Sequence, residues 1–277
     1  MKKNTKIIIY DDTCPMCAAY TNAFVNTGLL EKEGRKNFTE IAPELLSLID
    51  TKRCVNEIPL IDSNTHQVWY GIEAILEILN QKIPLIRKIG TLPTINWFLH
   101  KLYNFISYNR RIIVANQQPA TGFDCTPDFN LRYRVFFMTV FLVFNTCMLF
   151  PLHHYLFGNS VFNTSTIQQL QWAHLTIVAI NILLALKLGR KAGTEYLGQV
   201  NMLALITILL TVPLIVINKY WMITNSTINH IYLAGLTLII LNEYKRRMKY
   251  AEIVRLNPSI VFINIASIVC LSLYLIV

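Results

Sequence analysis

The chain is short of charge. Only 15% of its 277 residues are Asp, Glu, Lys or Arg, while 53% are hydrophobic. An ordinary soluble domain carries about 25% charged residues, so the composition argues against a wholly soluble protein. Acidic residues are the scarcer sign, 16 against 25 basic, for a net charge of +9. Residues 1–118 hold 14 Lys/Arg and 11 Asp/Glu, whereas residues 119–277 hold 11 and 5 in a far more apolar background. Basic residues between long apolar runs report membrane topology rather than nucleic-acid binding, so membrane lipid is an expected partner and nucleic acid is not. Cysteine is sparse as well: six residues, without the spacing of a disulfide framework. There is no second CxxC and no HxxxH pair to complete four zinc ligands, and no cofactor is expected. The N-terminus is basic, but its apolar run is Ile7-Ile8-Ile9-Tyr10 before two aspartates. A signal peptide needs about 7–15 apolar residues, so none is expected.

What is present is Tyr10-Asp11-Asp12-Thr13-Cys14-Pro15-Met16-Cys17, between that apolar run and a helix-compatible run from Ala18 to Leu30. Two cysteines separated by two residues at a strand-to-helix turn suit dithiol–disulfide chemistry. On a first helical turn both sulfurs can lie within bonding reach, and the unpaired amides there favour a thiolate. Cys14 would be the exposed, more acidic nucleophile and Cys17, one turn in, the resolving thiol. Pro15 suits the first helical position because it has no N–H to leave unsatisfied. Structural cysteines and half of a zinc site are the alternatives.

Periodicity predicts a strand over Lys6–Tyr10, a helix over Cys14–Leu30 and a strand over Lys36–Ile41. A short helix over Pro43–Thr51 follows, then strands over Glu57–Asp62 and His66–Tyr70 and a helix over Gly71–Gln81. This β-α-β-α-β-β-α order, with CxxC at the first junction, is the thioredoxin order. Such folds carry a proline, usually cis, at the strand opening the last hairpin, where Pro59 stands. A cis Ile58–Pro59 bond would leave the Ile58 backbone free to pair with an extended substrate. A trans proline at a strand start is the alternative. Pro93 opens a further helix with an apolar stripe through Ile95, Phe98, Leu102 and Ile106, and Arg110-Arg111 lies near its end. This region can pack on the domain, lie on the membrane surface, or both.

Three blocks resemble the DCC family of thiol–disulfide oxidoreductases, named for its DxxCxxC motif. They are Asp11, Cys14 and Cys17; Gly71-Ile72-Glu73-Ala74, like the family's G-x-E-A segment; and Tyr103 through Asn109-Arg110, like its Y-x5-N-R segment. The resemblance implies a thioredoxin-like fold and thiol redox chemistry on a protein or small-molecule thiol or disulfide. Asp12 departs from it, standing where the family commonly has glycine and adding a carboxylate near Cys14. Asp11 can exchange a proton with Cys17 or orient the turn. Glu73 is expected to cap its helix, with contact to the active-site face as the alternative, and Asn109 and Arg110 to tie the last helix to the domain. The expected catalytic set is thus Cys14, Cys17, Asp11 and Pro59. Cys54 and Cys125 are expected to be inert, with a regulatory disulfide or a relay as the alternatives.

Residues 119–133 read as a linker after an α/β thioredoxin-like domain over 1–118. Residues 134–277 read as an all-α transmembrane bundle of about five spans: 134–152, 170–188, 200–217, 228–242 and 259–277. The fourth is short, and Pro213 can kink the third. Lys and Arg cluster around alternate connections, at Arg110–Arg134, Lys187–Lys191 and Lys245–Arg255. The positive-inside rule then predicts an inner or plasma-membrane protein with Cys14 in the cytoplasm, and Ser160, Asn225 and the C-terminus outside. His153, His154, His174 and His230 would gather at the outer end. There they can anchor the bundle or, in a non-enzymatic sensor or assembly factor, serve a haem, copper or quinone.

Overall fold

The computed structural model describes residues 5–38, 40–115, 126–221 and 226–276. The chain divides into two compact units, Met1–Tyr133 and Arg134–Val277.

In the first unit the order is β1 (Lys6–Tyr10), α1 (Pro15–Asn26), β2 (Arg35–Asn37), α2 (Pro43–Leu46), α3 (Thr51–Cys54), β3 (Pro59–Asp62), β4 (Val68–Tyr70), α4 (Gly71–Asn80), α5 (Pro84–Gly90) and α6 (Pro93–Ile113). The sheet runs β2-β1-β3-β4. β1 lies parallel to β2, which requires a crossover, and α1 supplies it. β1–β3 and β3–β4 are antiparallel, with Ile8 opposite Leu60 and Pro59 opposite Tyr70. This is the expected thioredoxin-like arrangement. β1 is apolar from Ile7 to Tyr10 because both of its faces are covered. Ile8 packs with Cys17, Leu60 and Ile78, while Ile9 packs on the other face with Ile41, Cys54 and Ile61. The expected helix over Pro43–Thr51 is two short ones, broken where Asp50 caps α3 through the Lys52 and Arg53 amides.

The second unit contains α7 (Leu131–Tyr155, its first turn belonging to the first unit), α8 (Ile167–Leu186), α9 (Arg190–Trp221), α10 (Ser226–Tyr250), α11 (Ile253–Leu256) and α12 (Pro258–Ile276). Four of these, α7, α8, α9 and α12, are long and apolar enough to cross a membrane. The segment expected over 228–242 forms α10, which is 25 residues long but not among those four. Asn229 and His230 at one end and the Asn242–Lys249 polar run at the other leave its apolar middle short. α9 runs through Pro213 without ending. Within this unit α8 packs on α9 and α12, and α9 on α10.

Candidate active site

The turn after β1 is built by Asp11. Its Oδ1 accepts from the Thr13 N–H at 2.9 Å and the Thr13 hydroxyl at 2.6 Å, and its carbonyl accepts from the Cys14 N–H. Such an Asx turn reverses the chain and delivers Cys14 in an extended conformation to the N-cap of α1. Cys14 Sγ accepts from the Cys17 N–H at 3.5 Å, as a cap does, and Pro15 occupies the first helical position. Asp12 is exposed. α1 is held to the sheet by Arg35 on β2, which donates to the Thr21 hydroxyl and the Ala18 carbonyl and covers the Tyr10 ring. Thr21 in turn donates to the Cys17 carbonyl.

The two thiols differ sharply. Cys14 is partly exposed and its thiol is pushed down to about 6. The largest cause is a hydrogen bond from the Cys17 thiol; burial opposes it, the Cys17 N–H and the Arg110 charge add to it, and the Asp11 charge subtracts. Cys17 is buried, and its pKa is driven far up by its hydrogen bond to Cys14, by burial and by the Cys14 charge. The Tyr20 hydroxyl is also bonded to Cys17, and burial raises the Tyr20 phenol so that it stays protonated. A partly exposed thiolate with a buried thiol behind it is the arrangement that disulfide exchange requires.

Behind Cys17 lies a small cavity lined by Asp11, Cys54, Ile58, Pro59 and Arg110, among others. Asp11, Cys17 and Pro59 therefore meet there. The structure corrects two expectations about Pro59. No cis peptide bond occurs among the described residues, so Ile58–Pro59 is trans. The Ile58 backbone is also occupied: its N–H donates to the Tyr103 hydroxyl at 3.0 Å, and its carbonyl accepts from the Gly71 N–H at 2.9 Å. Pro59, lacking an N–H, opens β3 as a trans proline can. Cys54 is buried, and burial, with Asp50 and Glu57 adding, pushes its thiol up to about 12. Cys125 lies outside the described residues.

Arg110, Tyr103 and Tyr20 were not among the expected catalytic residues. Two of them stood in the Y-x5-N-R block, and Tyr20 follows Cys17 by three, a helical-neighbour spacing that could have marked it. Arg110 is buried and donates to the Val55 carbonyl at 2.7 Å, in the loop before Pro59. Asn109 donates to the Tyr133 carbonyl, a structural tie as expected. Gly71 explains itself: its φ is +58°, and a Cβ would stand 3.2 Å from the Tyr103 ring. Glu73 stands in the first turn of α4 and accepts from the Asn96 amide of α6.

The histidines of the second unit have separate occupations. His153 bonds the Ser165 carbonyl, His174 bonds the Thr146 hydroxyl, His154 stacks on Phe150, and His230 is exposed. Among the described residues no group of three or more His, Cys, Asp or Glu is placed to hold a metal ion.

Comparison with curated proteins and with solved structures gave no match. Residues 8–115 match the family model for DCC1-like thiol-disulfide oxidoreductase. That range runs from β1 to the end of α6, and so takes in the whole sheet, the Cys14–Cys17 turn and the Tyr103–Arg110 helix that closes over it. The N-terminal unit is thus similar to the DCC1-like thiol-disulfide oxidoreductases over residues 8–115.

Proposed function

We propose that the protein is a membrane-anchored thiol–disulfide oxidoreductase whose N-terminal unit faces the cytoplasm. The observation that carries this reading is the asymmetry of the two thiols: Cys14 poised as a thiolate at a helix start and Cys17 protonated beneath it. The Cys14 thiolate attacks one sulfur of a protein or small-molecule disulfide. The substrate S–S bond breaks, a Cys14 mixed disulfide forms, and the second substrate sulfur leaves as a thiolate that takes a proton. That step removes the negative charge and the hydrogen-bond acceptor that held Cys17 protonated. Cys17 then loses its proton, attacks Cys14 Sγ and expels the remaining substrate thiolate. Asp11 shares the cavity with Cys17, which supports it as the proton acceptor. Two electrons pass to the substrate, and a reducing thiol must restore the Cys14–Cys17 pair. Pro59 lines the cavity beside Cys17 and shapes access to it.

The orientation rests on exposed Arg132 at the start of α7 and Lys187, Arg190 and Lys191 at the junction of α8 and α9, against no Lys or Arg between α7 and α8. Arg110, Arg134 and Arg247 are buried, so they are structural and leave that count. In the cytoplasm, a CxxC is catalytic more often than a structural disulfide.

The test is disulfide reduction by the full chain in proteoliposomes. Wild type should turn over, Cys14→Ser should not, and Cys17→Ser should accumulate a mixed disulfide. Equal inactivity of wild type and Cys14→Ser across several thiol donors, with no trapped species in Cys17→Ser, would sink the proposal.

A further inference from the structure

Helices α5 and α6 present an apolar face outward. Leu85, Ile89, Trp97, Phe98, Leu102 and Ile106 are all exposed, Trp97 to 63%. The spacing makes these stripes: Leu85 and Ile89 are one turn apart, as are Phe98, Leu102 and Ile106. The inward side of α6 is occupied by other residues, Ser107, Asn109, Arg110 and Ile112 near its end, and Tyr103, which bonds Ile58. α5 and α6 also pack on each other and on α4. The apolar side is therefore not what anchors these helices to their own fold. An exposed apolar surface of this kind marks a contact with something else.

Charge identifies what that is. Residues 81–115 contain Lys82, Arg87, Lys88, Lys101, Arg110 and Arg111 and no Asp or Glu. Arg87 pairs with Glu77 at 2.6 Å and Arg110 is buried. Lys88 and Lys101 are exposed, each beside the apolar stripe of its helix, and Lys101 lies over the Trp97 ring at 6.0 Å. An apolar stripe bordered by lysines, with a tryptophan at the border and no carboxylate on either helix, is complementary to an anionic lipid surface; Glu73 of α4, bonded to Asn96, is a nearby acidic group. The chain also continues from α6 through 114–130 into α7, which is apolar enough to cross a membrane.

We propose that the α5–α6 face inserts into the headgroup region of an anionic bilayer, with Trp97 at the interface and Lys88 and Lys101 reaching phosphate. This goes beyond thiol exchange and stands or falls separately from it.

The experiment uses the full chain reconstituted in phosphatidylcholine vesicles with and without phosphatidylglycerol. Trp69, Trp172 and Trp221 are replaced by phenylalanine, leaving Trp97. The proposal expects Trp97 emission to be quenched by lipids brominated near the headgroup, more so with phosphatidylglycerol, and to be shielded from aqueous acrylamide. Lys88→Glu with Lys101→Glu should weaken that lipid contact by about fivefold per charge. Full acrylamide quenching without lipid quenching would place the face in water and overturn the proposal. Shielding from both quenchers would mean that protein covers it, and would overturn it equally. If the triple replacement does not fold, the difference between the four-tryptophan chain and its Trp97→Phe variant reads the same quantity.

Discussion

Thr21, Ser107 and Arg110 in the N-terminal unit each donate to a main-chain carbonyl, of Cys17, Asn56 and Val55. In the C-terminal unit Asn264 and Arg247 donate to side chains, of Asn181 and Gln199, and Asn145 donates to both the side chain and the carbonyl of Asn201. The reason is where each unit leaves backbone unsatisfied. The α/β unit buries the loop before Pro59, and its Val55 and Asn56 carbonyls must find donors, whereas the Thr21 contact is a one-turn bond within α1. Long helices satisfy most of their own backbone, so polar side chains of neighbouring helices also bond one another, while others, such as Asn201 with the Met138 carbonyl, reach a neighbour's main chain. Asn218 shows the limit, donating both to Asn229 and to the carbonyl of Tyr155, in the last turn of α7, where carbonyls lack an intrahelical partner. Buried polar groups therefore shape a thiol site in one unit and lock helix against helix in the other.

The largest effect should come from breaking that lock. Arg247 is 1% exposed and bonds both Glu243 and Gln199 at 2.7 Å. Arg247→Ala strands the Gln199 oxygen, leaves Glu243 to Arg246 alone and empties a buried site, and should cost about 3 kcal/mol. Thermal unfolding of the full chain in detergent would measure it. Cys14 alkylation should be unchanged below the transition; altered Cys14 reactivity would break the comparison. In the N-terminal unit Tyr103→Phe removes the acceptor for the Ile58 N–H. A stranded buried donor costs about 1–3 kcal/mol, read as a lower midpoint for denaturant loss of the Trp69 signal. Smaller still, Gly71→Ala forces a side chain to a φ of +58° and against Tyr103. It should cost about 1–2 kcal/mol by the same measurement, and Cys14 should keep its acidity.

Acidity and stability are linked, and the sign is fixed by the direction of the shift. Cys14 is held at about 6 in the fold and returns to ordinary thiol acidity on unfolding. Between those values the unfolded chain binds more protons, so the reduced protein gains stability as pH rises through that window and loses it as pH falls through 6. The oxidised protein, with no Cys14 proton to release, should lack this slope. Paired denaturation curves of the two redox forms across that window check it.

The sequence made the thiol turn legible because a CxxC after an apolar run and before a helical one has few other uses. It also made the apolar helices legible, since length and hydropathy are local properties. The trans state of Pro59 was not legible: it goes with Tyr103 and Gly71 bonding both sides of Ile58, from 45 and 13 positions away. Arg110 is expected both to tie its helix to the domain and to count as topology charge; it does the first, donating to Val55, and its burial, which nothing local in the sequence shows, removes it from the count. α10 was read as a span from its apolar middle, while its Glu243 is bound to Arg246 and Arg247 of the next turn.

The central claim is that Cys17 and the start of α1 hold Cys14 as a thiolate. Its most direct measurement is the rate of iodoacetamide alkylation of Cys14 against pH in the reduced full chain. The account predicts a midpoint near 6, moving upward in Cys17→Ala as the thiol hydrogen bond is lost. A midpoint in the ordinary thiol range, about 8.5, or one that Cys17→Ala does not move, would contradict it.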